Sequence, residues 1–166
     1  MKANSLEVVY RYHMNDLYHY LLRLSGQPQT AEDLVQDTFI KAYEHLEIYQ
    51  GENVRPWLFR AAHNAYIDWR RKERRHIHTD PALMEAITEK VEPGPEELFL
   101  MQEKIAGWFK IIETLPERSR HIILLRDYHD FTYQEIAYIL GESLTNVKVK
   151  LYRARQRVKE VMKNEM

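Results

Sequence analysis

The sequence contains no cysteine, so disulfides and thiolate metal sites are both excluded. That absence suits a reducing compartment. Only five glycines interrupt the chain, and no two-residue apolar alternation marks a strand. No stretch of roughly 18 apolar residues would cross a membrane, and Met1 to Ser25 lacks a basic-then-apolar leader pattern. A soluble, cytoplasmic protein without membrane insertion is expected. Net charge is also nearly absent, at −1 with a pI near 6.7. A bulk value of this kind argues against a nucleic-acid partner only if the charge is evenly spread, because DNA meets one face of a protein.

The charge is not evenly spread. Ser143 to Met166 holds seven Lys and Arg against two Asp and Glu, whereas Glu113 to Glu142 holds three against six. Helical periodicity runs through most of the remainder. Leu6 to Leu24 carries apolar residues at helical spacing and stops at Ser25-Gly26-Gln27-Pro28. Thr30 with Asp33 predicts a capping-box-like start for a helix to about Leu46, with Ala31, Val35, Phe39, Ala42 and Leu46 on one face. Pro56 suits the first turn of the next helix, where its missing N–H costs nothing. That helix carries Trp57, Leu58, Ala61, Ala62, Ala65 and Trp69 and ends in a basic run from Arg70 to Arg75.

The composition then shifts. His76 to Glu97 contains Pro81, Pro93, Gly94 and Pro95 and reads as a linker with one short turn near Leu83–Ile87. Helices resume near Glu97. Leu115-Pro116 marks another start, and Ile122 to Tyr128 looks core-like. Thr132 to Glu135 is a capping box, Gly141 ends the short helix it opens, and Ser143 is an N-cap for the last helix. The fold class expected is all-α: an N-terminal helical bundle over 1–76, a linker over 77–97 and a C-terminal helix-turn-helix domain over 98–166.

From Thr132 onward the unit reads as helix, turn, helix. Leu144, Val147, Leu151, Ala154, Val158 and Met162 form an apolar stripe on the second helix. Its opposite side carries Thr145, Asn146, Lys148, Val149, Tyr152, Arg153, Gln156 and Arg157, with Lys150 and Arg155 flanking. A recognition helix presents its N-terminal residues to base edges in the major groove, while later cations reach phosphates. Thr145, Asn146, Lys148 and Val149 are expected at bases, and Lys150, Arg153, Arg155 and Arg157 at phosphates. In the N-terminal half, Asp33, Gln36, Asp37, Lys41 and Glu44 make an acidic-polar stripe beside Ile40 that could dock a protein. Trp57, Phe59, Tyr66 and Trp69 interleave with Arg60, Asn64, Arg70 and Arg71, a mixture suited to stacking on single-stranded DNA and also to an ordinary core.

No glycine-rich phosphate loop, HExxH pair or nucleophile elbow is present, and no enzyme activity or cofactor is expected. Eight histidines invite a metal reading. His76-x-His78-x-Asp80 is the one tight cluster, and with no third ligand on a regular element it is read as no metal site.

Three ordered segments, "AEDLVQDTFIKAYEHL", "PWLFRAAHNAYIDWRRK" and "LPERSRHIILLRDYHDFTYQEIAYILGESLTNVKVKLYRARQRVK", resemble the bacterial sigma-70 family, in particular its short extracytoplasmic-function (ECF) group. The resemblance implies a sigma factor that joins core RNA polymerase (beta and beta-prime subunits) and directs promoter recognition, melting and initiation. It implies polymerase docking by Asp33, Leu34, Gln36, Asp37 and Ile40, with Asp37 where the family often has Glu. It implies capture of the opened −10 element by Gln50, Gly51, Glu52, Asn53, Arg60, Asn64 and Asp68, with Arg70 and Arg71 on the backbone, and reading of the −35 element by the helix-turn-helix. Extruding a base costs a few kcal/mol, so such a pocket needs hydrogen-bonding groups. Relatives are often held by an anti-sigma protein, frequently in the membrane. Val149-Lys150 departs from the family's commoner Ser/Thr-Arg: valine contacts a thymine methyl but cannot hydrogen-bond, and lysine lacks the fork that grips guanine. Two readings of the acidic linker stay open, a charge that occupies the polymerase cleft and a solvated tether. The rival to the family reading is a stand-alone helix-turn-helix regulator that never meets polymerase.

Overall fold

A computed structural model describes residues 2–45, 54–77 and 99–165, with side chains over 7–45, 54–74 and 106–164. The expected loop at Gln50–Asn53, the turn near Leu83–Ile87, Leu46, the linker and the His78 and Asp80 pair lie outside those residues. The described residues contain helices and no strand, as the all-α expectation required. The chain divides into two compact units, Met1–Val91 and Glu92–Met166.

In the first unit, α1 (Lys2–Ser25), α2 (Pro28–His45) and α3 (Val54–Ile77) pack against one another pairwise. Their facing stripes meet in a core of Leu17, Tyr20 and Leu21 from α1, Ala31, Val35 and Phe39 from α2, and Leu58, Phe59, Ala62 and Tyr66 from α3. Gly26, at φ 72°, turns the chain out of α1, a left-handed conformation that glycine adopts without steric penalty. The Ser25 hydroxyl then accepts from the Gln27 N–H at 3.2 Å, and α2 begins at Pro28. The expected start at Thr30 is therefore two residues late. Proline fits this first turn because its missing N–H would be unpaired there anyway, and Thr30 donates to the Gln27 side chain instead of capping.

Polar contacts among the described residues also cross this unit. Tyr20 Oη and His63 Nδ1 lie 3.2 Å apart inside the bundle, and burial, with Tyr66 nearby, pushes the Tyr20 phenol above its ordinary range. Arg55 Nε donates to Asp16 Oδ2 at 2.8 Å, joining α3 to α1, and its guanidinium lies over the Phe59 ring.

The second unit contains α4 (Phe99–Glu113), α5 (Glu117–Ile123), α6 (Tyr133–Leu140) and α7 (Leu144–Glu165). A π-helical turn over Leu124–Tyr128 continues α5. Ile122, Ile123, Leu124 and Leu125 are all buried, four in a row. This succeeds because the segment lies among neighbours: α5 touches α4 and α7, and the π turn touches α6. Tyr128, expected in the core, is exposed and sets its ring edge against Phe109. The wider winding lets the His129 N–H reach the Leu124 carbonyl at 2.9 Å, and Asp130 takes φ 62° on the way to α6.

Candidate nucleic-acid interface

The helix-turn-helix is built by three local devices. Thr132 Oγ1 accepts from the Glu135 N–H at 3.1 Å, and Glu135 Oε1 accepts from the Thr132 N–H at 2.9 Å, completing the expected capping box. Gly141 closes α6 at φ 65°. Ser143 Oγ accepts from the Asn146 N–H at 3.1 Å and starts α7. The loop before α6 is tied down by Arg126, which donates to the Phe131 carbonyl at 2.8 Å and lies over the Tyr133 ring.

The packed side of α7 is Val147, Leu151, Ala154 and Val158, all buried. The expected stripe is shorter than predicted at both ends: Leu144 is 36% and Met162 52% exposed. Val158 is the last buried position, so the final turn of α7 continues past the core. The outer side exposes Thr145, Asn146, Lys148, Val149, Arg153 and Arg157. Tyr152 stands among them at 66% exposure. It belongs with the expected interface set, and its place three residues after Val149 is the sequence signal for it.

Two residues expected at phosphates take part in ion pairs within the chain. Lys150 forms an ion pair with Glu142 in the turn. Arg155 gives Nη2 to Asp127 Oδ1 at 2.5 Å and Nε to Oδ2 at 3.3 Å, and this hydrogen bonding raises its already high pKa further. Both cations flank the outer face and pair there with carboxylates on neighbouring segments. The exposed cations on the interface are Lys148, Arg153 and Arg157.

In the first unit, α2 exposes Asp33, Gln36 and Asp37, with Ile40 at 58% and Tyr43 at 71%. Leu34, expected at the same face, is 5% exposed and lines a groove beside it from within the bundle. This groove of about 490 Å³ runs between α2 and α3, and Asp33, Asp37, Ile40, Asp68, Trp69 and Lys72 line it. Asp68 thus stands with the α2 carboxylates as well as one helical turn from Asn64. Arg60, Asn64 and Arg71 are exposed on α3 and Arg70 is half-buried. Of the aromatics suited to stacking on bases, Phe59 and Tyr66 are fully in the core and unavailable. Trp57 and Trp69 are half-buried, the latter beside Tyr66.

Among the described residues no group of three or more His, Asp and Glu is placed to hold a metal ion. No described helix is long and apolar enough to cross a membrane.

Sigma-70 region 2 matches residues 9–76, and sigma-70 region 4 matches residues 109–158. An ECF RNA polymerase sigma factor of Bacillus subtilis, SigM, is 33% identical over 155 residues, 93% of this chain and 93% of that one. The RNA polymerase sigma factor YlaC of the same organism is 32% identical, covering 96% of this chain and 92% of that one. Among solved structures, the sigma factor RpoE of Bartonella quintana, in complex with the anti-sigma factor NepR, matches with a TM-score of 0.78 and 27% identity over 96% of this chain and 97% of that one. CnrH, in complex with the cytosolic domain of CnrY, shares the fold with a TM-score of 0.71 at 20% identity, over 99% of this chain and 91% of that one.

Proposed function

The chain belongs to the ECF group of the sigma-70 family and is an RNA polymerase sigma factor; on that premise we propose how its surfaces divide the work. Asp33, Gln36, Asp37 and Ile40 on α2 dock core polymerase. Asn64 and Asp68 on α3, with the segment Gln50–Asn53, handle the opened −10 element, and Arg60, Arg70 and Arg71 follow its backbone. Thr145, Asn146, Lys148 and Val149 on α7 read the −35 element, with Arg153 and Arg157 on phosphates and Tyr152 beside them.

The observation that carries this division is the outer face of α7. Three exposed cations surround Val149 and Tyr152 on a helix that a capped turn presents by its N-terminal end. Short polar groups at the start of such a helix suit base edges, and cations farther along suit phosphates. On this reading the chain performs no chemistry itself, since nucleotide addition is the polymerase's reaction. It works in the cytoplasm, at the nucleoid once it has joined polymerase.

Ile40 and Tyr43 form an apolar patch that needs a cover when polymerase is absent. By likeness to the Bartonella quintana sigma factor, an anti-sigma protein is the expected cover. A stand-alone regulator finds no support among relatives that match over more than nine-tenths of this chain.

The test combines co-elution with core polymerase and transcript 5′-end mapping. Gln36→Ala with Asp37→Ala should reduce co-elution. Charge reversal at Lys148 and Arg153 should spare co-elution and reduce promoter-directed initiation. Start sites that are identical with and without the folded chain would overturn the proposal.

A further inference from the structure

Lys148 and Lys150 bracket Val149 on α7. At about 100° per residue they stand on opposite shoulders of the outward-facing line. By sequence the two lysines are equivalent supports for a helix lying in a groove, yet they are treated differently. Lys148 is exposed. Lys150 is drawn back onto the turn by Glu142, and the two side chains are only 32% and 25% exposed.

The second oxygen of that carboxylate has no other partner: Glu142 Oε2 is buried and accepts no hydrogen bond. Loss of Lys150 would leave this part-buried carboxylate without a cation, a cost that its 25% exposure to solvent reduces. Lys150 therefore has a reason to stay when a polyanion approaches, which an ordinary exposed surface pair does not.

We propose that Glu142 is a positioning residue for promoter recognition, withholding Lys150 from the phosphates. The inference rests on α7 being the DNA-reading helix. Its consequence is on overall affinity and salt dependence. Cation–phosphate contacts bind every sequence alike, so withholding one lowers affinity for every duplex by about the same factor without touching the groups that face bases. The recognition surface is left with charge on one shoulder of Val149 and a neutral pair on the other.

The test is the salt dependence of holoenzyme binding, on a promoter duplex identified by 5′-end mapping and on a random duplex of equal length. Glu142→Gln keeps the shape and frees the lysine. It should steepen the log–log slope by up to about 0.9 on both duplexes and leave the ratio of promoter to random affinity unchanged. Glu142→Gln with Lys150→Gln removes the pair at constant net charge and should restore the wild-type slope. A double variant flatter than wild type by about 0.9 would show Lys150 on a phosphate in the native complex and overturn the inference, as would an unchanged slope for Glu142→Gln. Arg153→Gln is the control for the underlying reading. If it leaves the slope unchanged, α7 is not on the DNA; if it flattens the slope while the double variant also does, only the withholding role fails. Thermal unfolding of each variant with free chain distinguishes a lost contact from a lost fold.

Discussion

The guanidinium of Arg155 grips both carboxylate oxygens of Asp127, at 2.5 Å through Nη2 and 3.3 Å through Nε. The two residues lie 28 positions apart, one on α7 and one on the π-helical turn. The contact therefore ties α7 to the segment beneath it. Arg155 is 42% exposed on its side chain, so solvent screens the pair. Asp127→Asn should destabilise the folded chain by roughly 0.5–1 kcal/mol, read as a shift in the denaturant midpoint with an unchanged m-value.

Gly141 stands at φ 65° with no atom near the position of an added Cβ. The cost of a side chain there is thus one of backbone conformation and not of collision. Gly141→Ala should cost about 1 kcal/mol. Gly141→Asn should cost less, because asparagine tolerates the left-handed region better. Equal losses for the two would contradict this account of the turn.

Ile136 and Ile40 separate packing from docking. Ile136 is fully buried, and Ile40 is 58% exposed. Ile136→Ala should lower stability by about 2–5 kcal/mol. Ile40→Ala should stay within about 0.5 kcal/mol of wild type while weakening polymerase co-elution several-fold. Full polymerase binding by a well-folded Ile40→Ala chain would remove Ile40 from the docking face.

Val149 is exposed where it can meet a thymine methyl. Replacing thymine by uracil at the −35 positions removes that methyl alone. The loss should be roughly 0.8 kcal/mol, about fourfold in affinity, at one position only. It should vanish in Val149→Ala, and persistence there would assign the methyl to another side chain.

Acid should weaken the N-terminal bundle. Burial lowers the pKa of His13, with Asp16 opposing and Arg55 reinforcing. Burial also lowers that of His19, with Arg23 reinforcing and Asp16 opposing. The unfolded chain then binds protons that the folded chain resists. Stability is complete above the unfolded histidine pKa of about 6.5 and is lost as pH falls below it. The urea midpoint should drop between pH 7.5 and 5.5, and His13→Gln with His19→Gln should reduce that drop.

What could be read from residue order was whatever depends on neighbours a few positions apart. The capping box at Thr132, the Gly141 stop, the Ser143 cap and the buried stripe from Val147 to Val158 are all set by local hydrogen bonds and helical period. Of the segments carrying the family resemblance, the third covers these helices and the first two lie on α2 and α3. The start of α2 was misplaced because Thr30 resembles a cap, while Pro28 opens the helix two residues earlier and the Gln27 carbonyl accepts from the Ala31 N–H.

Tertiary structure alone decided which charges stay outward. Helical period places Lys150 and Arg155 on the flanks of the face that carries Lys148 and Arg153, but only the approach of Glu142 and Asp127 gives them ion-pair partners. It alone put Phe59 and Tyr66 inside the bundle, and it wound Leu124–Tyr128 into a π turn among α5, α6 and α7. The physical reason is range: caps and helical periods act within a few residues, whereas burial and ion pairing depend on which distant segments happen to be packed alongside.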